Sequence, residues 1–114
     1  RYSSSAASDV YKRQIQKMYS IIIDLDRHVI TSMVKLDDVN LEACKGQLDQ
    51  MQEISRETDQ ILLHLKGNTV GGREGRIIHS TIVNRMERTL YNLIRLSEVW
   101  HHAITSDWVA IEEL

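Results

Sequence analysis

The chain reads as an all-α protein, an antiparallel up-down-up bundle of three helices that dimerisation would complete where its own core falls short. Three observations predict it. Its 114 residues include no Pro, no Phe and only five Gly, while Ile, Leu, Gln, Glu and Arg recur throughout; this composition favours helix and lacks the punctuation of strands. Three stretches repeat apolar residues at steps of three and four, the period of one helical face. Short polar or glycine-rich segments separate them, and short connections force neighbouring helices antiparallel.

The opening segment, Arg1 to Gln14, is Ser-rich and has no apolar period. It resembles translated adapter or library sequence, so residues 1–14 are expected to stand outside the fold as a disordered or non-native leader. The chain would then be a fragment of a longer protein, with the folded bundle over 15–114. The first helix, 15–36, is predicted by Ile15, Met18, Ile22, Leu25, Val29, Met33 and Leu36 on one face. Asp37, Asp38, Val39 and Asn40 then suit a turn and an N-cap, and Glu42 favours the positive end of a new helix.

That second helix, 39–66, carries a heptad-like seam of Leu41, Cys44, Leu48, Met51, Ile54 or Ser55, Thr58, Ile61 or Leu62, and Leu65. Four of the five glycines fall between 67 and 75, a loop between helices. The third helix, 74–104, presents Ile78, Ile82, Met86, Leu90, Leu93, Leu96 or Ser97, Trp100 and Ile104. Thr105, Ser106 and Asp107 can cap a short further helix over 106–114 bearing Trp108.

Apolar residues make up 42% and charged residues 26% of the chain, the balance of a globular domain and neither a disordered one nor a membrane span. Ile21, Ile22 and Ile23 form the longest apolar run, far short of the roughly 20 residues a bilayer needs. No membrane insertion is expected. The single Cys, Cys44, allows no internal disulfide, and a cytoplasmic setting is the expectation. From Asp37 to Asp59 seven acids face two bases, whereas Lys66 to Arg95 holds six bases and two acids. Folding the third helix back on the second, as in a helical hairpin, sets side by side residues whose numbers sum to about 141. This arrangement predicts the pairs Glu53 with Arg88 and Glu57 with Arg85, and places Asp49 near Asn92 and Arg95. Such pairing, with a net charge of −2, argues for intramolecular charge matching and against a nucleic-acid partner.

Four features carry possible chemistry. Glu98 and His101 form a Glu-x-x-His one helical turn apart, the spacing of carboxylate-bridged metal bundles. A homodimer could supply the second such motif, with Asp37, Asp38 or Glu42 arriving near residues 99–104. His64, before Leu65, Lys66 and Gly67, looks like the H-x-L-K-G box of histidine phosphotransfer domains, but it stands one position late, about 100° around the helix. His79 is expected near it across the hairpin.

Asn84 to Tyr91 resembles the L-E-R-x-x-D segment of PhoU-like domains, three-helix repeats that regulate phosphate uptake. Glu87 and Arg88 match, and Tyr91 replaces the family's Asp; the resemblance implies a regulatory domain. Trp100 and Trp108 are candidate partner anchors, because aromatic residues dominate interface hot spots. Cys44 falls on the seam, where a thiol behaves as a small apolar group. These features predict a non-enzymatic helical interaction or scaffold domain with a protein partner or self-association. No cofactor and no small-molecule substrate are expected. The alternatives are a PhoU-like regulatory domain and a dimeric metal bundle held through Glu98 and His101.

Overall fold

The computed structural model describes residues 4–64 and 73–106. Its helices are α1 (Ser4–Lys35), α2 (Leu41–His64) and α3 (Arg73–Thr105), and each packs on both others. Tyr11 of α1 meets His79 near the start of α3, while Asp59 of α2 reaches the same His79 and Asp38, at the far end, reaches His101. So α1 and α3 run parallel and α2 runs against both, as an up-down-up bundle requires. The molecule is a rod of 66 × 22 × 18 Å. No helix among the described residues is long and apolar enough to cross a membrane.

The core is Met18, Ile22, Leu25 and Val29 from α1, Cys44 and Met51 from α2, and Val83, Met86, Leu90 and Ile94 from α3. Of the buried polar side chains, Gln14, Thr58 and Ser97 are bonded, whereas Gln47 Oε1 is buried without a hydrogen-bond partner among the described residues. The Gln14 amide donates to Thr58 Oγ1 (3.3 Å), and Thr58 donates to the Ile54 carbonyl (2.7 Å). Ser97 likewise donates to the Ile94 carbonyl (2.6 Å). Cys44 lies against Ser97, and burial pushes its thiol pKa up despite a hydrogen bond from that neighbour.

α1 stops in a Schellman arrangement: the Asp37 N–H donates to Ser32 O (2.9 Å) and the Leu36 N–H to Met33 O (3.3 Å). Leu36 takes the left-handed position, φ 56°. α2 then starts on Asn40, whose Oδ1 accepts the Ala43 N–H at 3.1 Å, an N-cap bond.

Four expectations are corrected. Residues 1–14 do not all lie outside the fold, because α1 begins at Ser4, Gln14 is buried, and Tyr11 contacts α3. Met33 is exposed because two steps of four from Leu25 carry it about 80° round, and Leu36 because it lies past the end of α1 in the left-handed closing position. Ser32 takes the buried place and returns its hydroxyl to the His28 carbonyl (2.8 Å).

On α3 the buried face is His79, Val83, Met86, Leu90, Ile94 and Ser97, so Ile78 and Leu96 lie exposed at its side. A seam chosen by aliphatic size misplaces this face, because smaller and polar residues fit the close approach of three helices. Finally, the expected Glu53–Arg88 and Glu57–Arg85 pairs do not form among the described residues. Glu53 instead pairs with Arg56 on its own helix at 3.3 Å. The hairpin register is nevertheless close to the expected sum, with Cys44 beside Ser97; the acids and arginines simply turn to different outer sides. The expected helix over 106–114, with Trp108, lies outside the described residues beyond Ser106, which is a bend.

Candidate interaction face and polar cleft

At the end of the bundle holding the α1–α2 connection, three polar contacts hold the turn, two to α3 and one to α1. The Trp100 Nε1–H donates to the Asp37 carbonyl (2.7 Å), and His101 Nδ1 lies 2.7 Å from Asp38 Oδ1. The Asn40 N–H donates to His28 Nε2 (3.1 Å), so that nitrogen is the unprotonated acceptor. The hydrogen bond from His101 holds the Asp38 carboxyl below the usual carboxylate range; partial desolvation opposes it, and the Val39 N–H and the imidazolium charge add to the lowering. Asp38 thus does arrive beside His101, as the antiparallel packing predicts. Glu98 lies one turn away, 4.0 Å from Arg95. Among the described residues no three His, Cys, Asp or Glu side chains gather as a metal site.

The opposite end holds a cluster that the sequence did not reveal. The Tyr11 hydroxyl lies 3.0 Å from His79 Nδ1, and His79 Nε2 lies 3.2 Å from Asp59 Oδ1, so one residue from each helix joins a single chain of hydrogen bonds. The Tyr11 ring meets the imidazole edge-on with centroids 5.4 Å apart. Burial pushes the Tyr11 pKa up, which keeps the phenol protonated and unreactive as a base. His79 is buried and Asp59 exposed, so the chain leads from the interior to the wall of a cleft between α2 and α3, of about 340 Å³. Leu62 and Val83 line this cleft with Asp59, Arg76 and Ser80. It was missed because Tyr11 belongs to the segment expected to lie outside the fold. His79 turns inward here; its expected approach to His64 lies outside the described side chains.

A third feature is the outer surface. The exposed large apolar residues are Tyr19, Ile30, Met33, Val34 and Leu36 at α1, and Ile77, Ile78, Tyr91, Leu96 and Val99 on α3. None belongs to α2.

Comparison with protein-family models, curated proteins and solved structures finds no match to this chain.

Part of this exposed apolar set falls on facing flanks, Tyr19, Ile30 and Met33 on α1 and Ile78 and Leu96 on α3, whereas Ile77, Tyr91 and Val99 turn about 100°, 140° and 60° away from the Ile78–Leu96 line. On α1, Gln14 points to α2 and Tyr11 to α3; about 100° of turn per residue then carries Tyr19, Ile30 and Met33 further round, past the α3 side to the outside. On α3, Arg76, Ser80 and Asn84 border the cleft with α2. Ile78 and Leu96 are eighteen residues apart, five whole turns, and lie roughly 160° from Ser80, towards α1. Half-buried Ile82, Leu93 and Trp100 lie between that line and the core. The two flanks therefore border one groove between the parallel helices α1 and α3. Trp100 stands at its end, its indole N–H already committed to Asp37. Glu87 and Arg88, which carry the PhoU-like resemblance, are half-buried and exposed respectively, on other sides of α3.

Proposed function

We propose that the chain is a non-enzymatic helical interaction domain that receives one amphipathic helix of a partner protein in the groove between α1 and α3. The carrying observation is the asymmetry of the exterior: large apolar side chains are exposed on α1 and α3, and none is exposed on α2 among the described residues. α2 instead shows water Glu42, Asp49, Glu53, Glu57 and Asp59. Contiguous exposed apolar surface marks interaction sites, and a helix laid in a groove is a standard way to cover one.

The charges beside the groove select the partner's flanks. Among side chains on these outer flanks, Lys12 and Arg27 of α1 and Arg85 of α3 outnumber Asp9 and Asp26, and Arg85 lies about 20° from the Ile78–Leu96 line. An acidic-flanked helix complements them. A second copy meeting face to face would set arginines against arginines, which disfavours self-association.

Two synthetic amphipathic helices with the same leucine face, one flanked by Glu and one by Lys, test the reading. The Glu-flanked peptide is expected to bind, and Ile30→Glu with Leu96→Glu to abolish binding while leaving the helical circular dichroism unchanged. Equal binding of the two peptides, or full binding to the double variant, would remove the proposal. Light scattering of the chain alone is expected to show a monomer; a dimer broken by the same two substitutions would assign the groove to a second copy instead.

A further inference from the structure

We infer that the cleft between α2 and α3 is a binding site for a small zwitterion, a free α-amino acid with an apolar side chain. This goes beyond the interaction reading and uses the opposite side of the molecule. The volume of about 340 Å³ lies in the range of small-molecule sites, and the lining has the composition of one. Leu62 and Val83 give an apolar floor; Asp59 on the α2 wall and Arg76 on the α3 wall bring opposite charges to the same cleft.

Asp59 is held from behind. Its Oδ1 faces His79 Nε2, and His79 is fixed in turn by Tyr11, so the carboxylate is positioned by an interior chain while the residue stays exposed to solvent. Its other oxygen can accept from an ammonium group. Arg76 carries five N–H donors in a planar fork, enough to keep an existing contact and still meet a carboxylate. An α-amino acid bears both charges on one carbon, so it can meet the two walls at once and lay its side chain on Leu62 and Val83. A simple cation would have to face Arg76, and a simple anion Asp59. Each would gain one charge contact and suffer one repulsion, so the zwitterion is the class that satisfies both walls. Ser80, on the same wall as Arg76, adds a hydroxyl that can donate or accept.

The test is a titration of the full chain, labelled with ¹⁵N, followed by NMR with three probes: L-leucine, its decarboxylated counterpart 3-methylbutylamine, and its deaminated counterpart 4-methylpentanoate. Leucine is expected to shift the Ser55, Ser80 and Asn84 amides saturably, and the two single-charge probes to bind at least tenfold more weakly. Asp59→Asn should weaken leucine at least tenfold and Asp59→Glu should restore part of the loss, while Arg76→Gln should leave leucine no tighter than the amine. Both residues are exposed, and the dispersion of each variant's spectrum reports its fold in the same experiment. The inference is overturned if leucine produces no saturable shift at these amides, if the amine or the acid binds as tightly, or if neither substitution weakens leucine.

Discussion

Leu36 holds a conformation that suits glycine better than leucine. Its φ of 56° closes α1, and a β-carbon there costs about 1 to 2 kcal/mol against the right-handed alternative. The side chain is 69% exposed, so little packing offsets that strain. Leu36→Gly is expected to stabilise the fold by about 0.5 to 1 kcal/mol, the remainder going to the greater freedom of glycine in the unfolded chain; a urea midpoint at or below the parent's would contradict it. Two residues on, Asp38 gives the molecule a pH dependence. Its folded pKa lies below its unfolded value of about 3.9, so the contact with His101 adds stability above that value and loses it as pH falls through the folded value. The stability difference between the parent and Asp38→Asn should therefore be largest near neutrality and shrink towards pH 2. A difference that grew with acid would show the sign to be wrong.

At the scale of elements, the first turns of α1 carry more than their composition suggests. Starting the chain at residue 15 removes the Tyr11 contact with His79 and the Gln14 contact with Thr58, so His79 Nδ1 and Thr58 Oγ1 each lose a hydrogen bond, while His79 keeps Asp59 and Thr58 keeps the Ile54 carbonyl. Each such loss costs about 1 to 3 kcal/mol, so the shortened chain is expected to lose roughly 2 to 4 kcal/mol in denaturant melts. Unchanged stability would mean that these turns lie idle on the bundle. The start of α2 rests on the Asn40 side chain alone among the cap bonds described. Asn40→Ala should cost about 1 kcal/mol, while Asn40→Asp should keep most of it.

For the whole molecule, one continuous core spans all three helices, so unfolding is expected as a single transition. Leu90 and Met51, both fully buried, are the strictest probes: truncation to Ala should cost about 2 to 5 kcal/mol. Leu96→Ala, on the exposed groove, should change stability by no more than about 0.5 kcal/mol. Equal losses at Leu90 and Leu96 would show that the face assigned to the core of α3 is misplaced. The same contrast separates fold from function, since the proposed partner helix would touch Leu96 and not Leu90.

How much of this was legible in the residues follows from the range of the forces involved. Helix existence, the three-helix order, the turn at Asp37–Asn40 and the arrival of Asp38 near residue 101 could all be read from the chain. Periodicity, capping chemistry and the length of a hairpin are local or nearly local quantities. Which side of each helix turns inward was legible from Met18 to Val29, along the α2 seam through Cys44, Met51, Thr58 and Leu62, and at Met86 and Leu90 of α3. On α3, where His79, Val83 and Ser97 fill the interface, three-way packing made the choice by admitting small or bonded side chains and turning Ile78 and Leu96 outward. The polar chain through Tyr11, His79 and Asp59 likewise exists only once three helices meet. Its residues are 68 and 20 positions apart, and no spacing along one helix can announce a contact that tertiary packing creates.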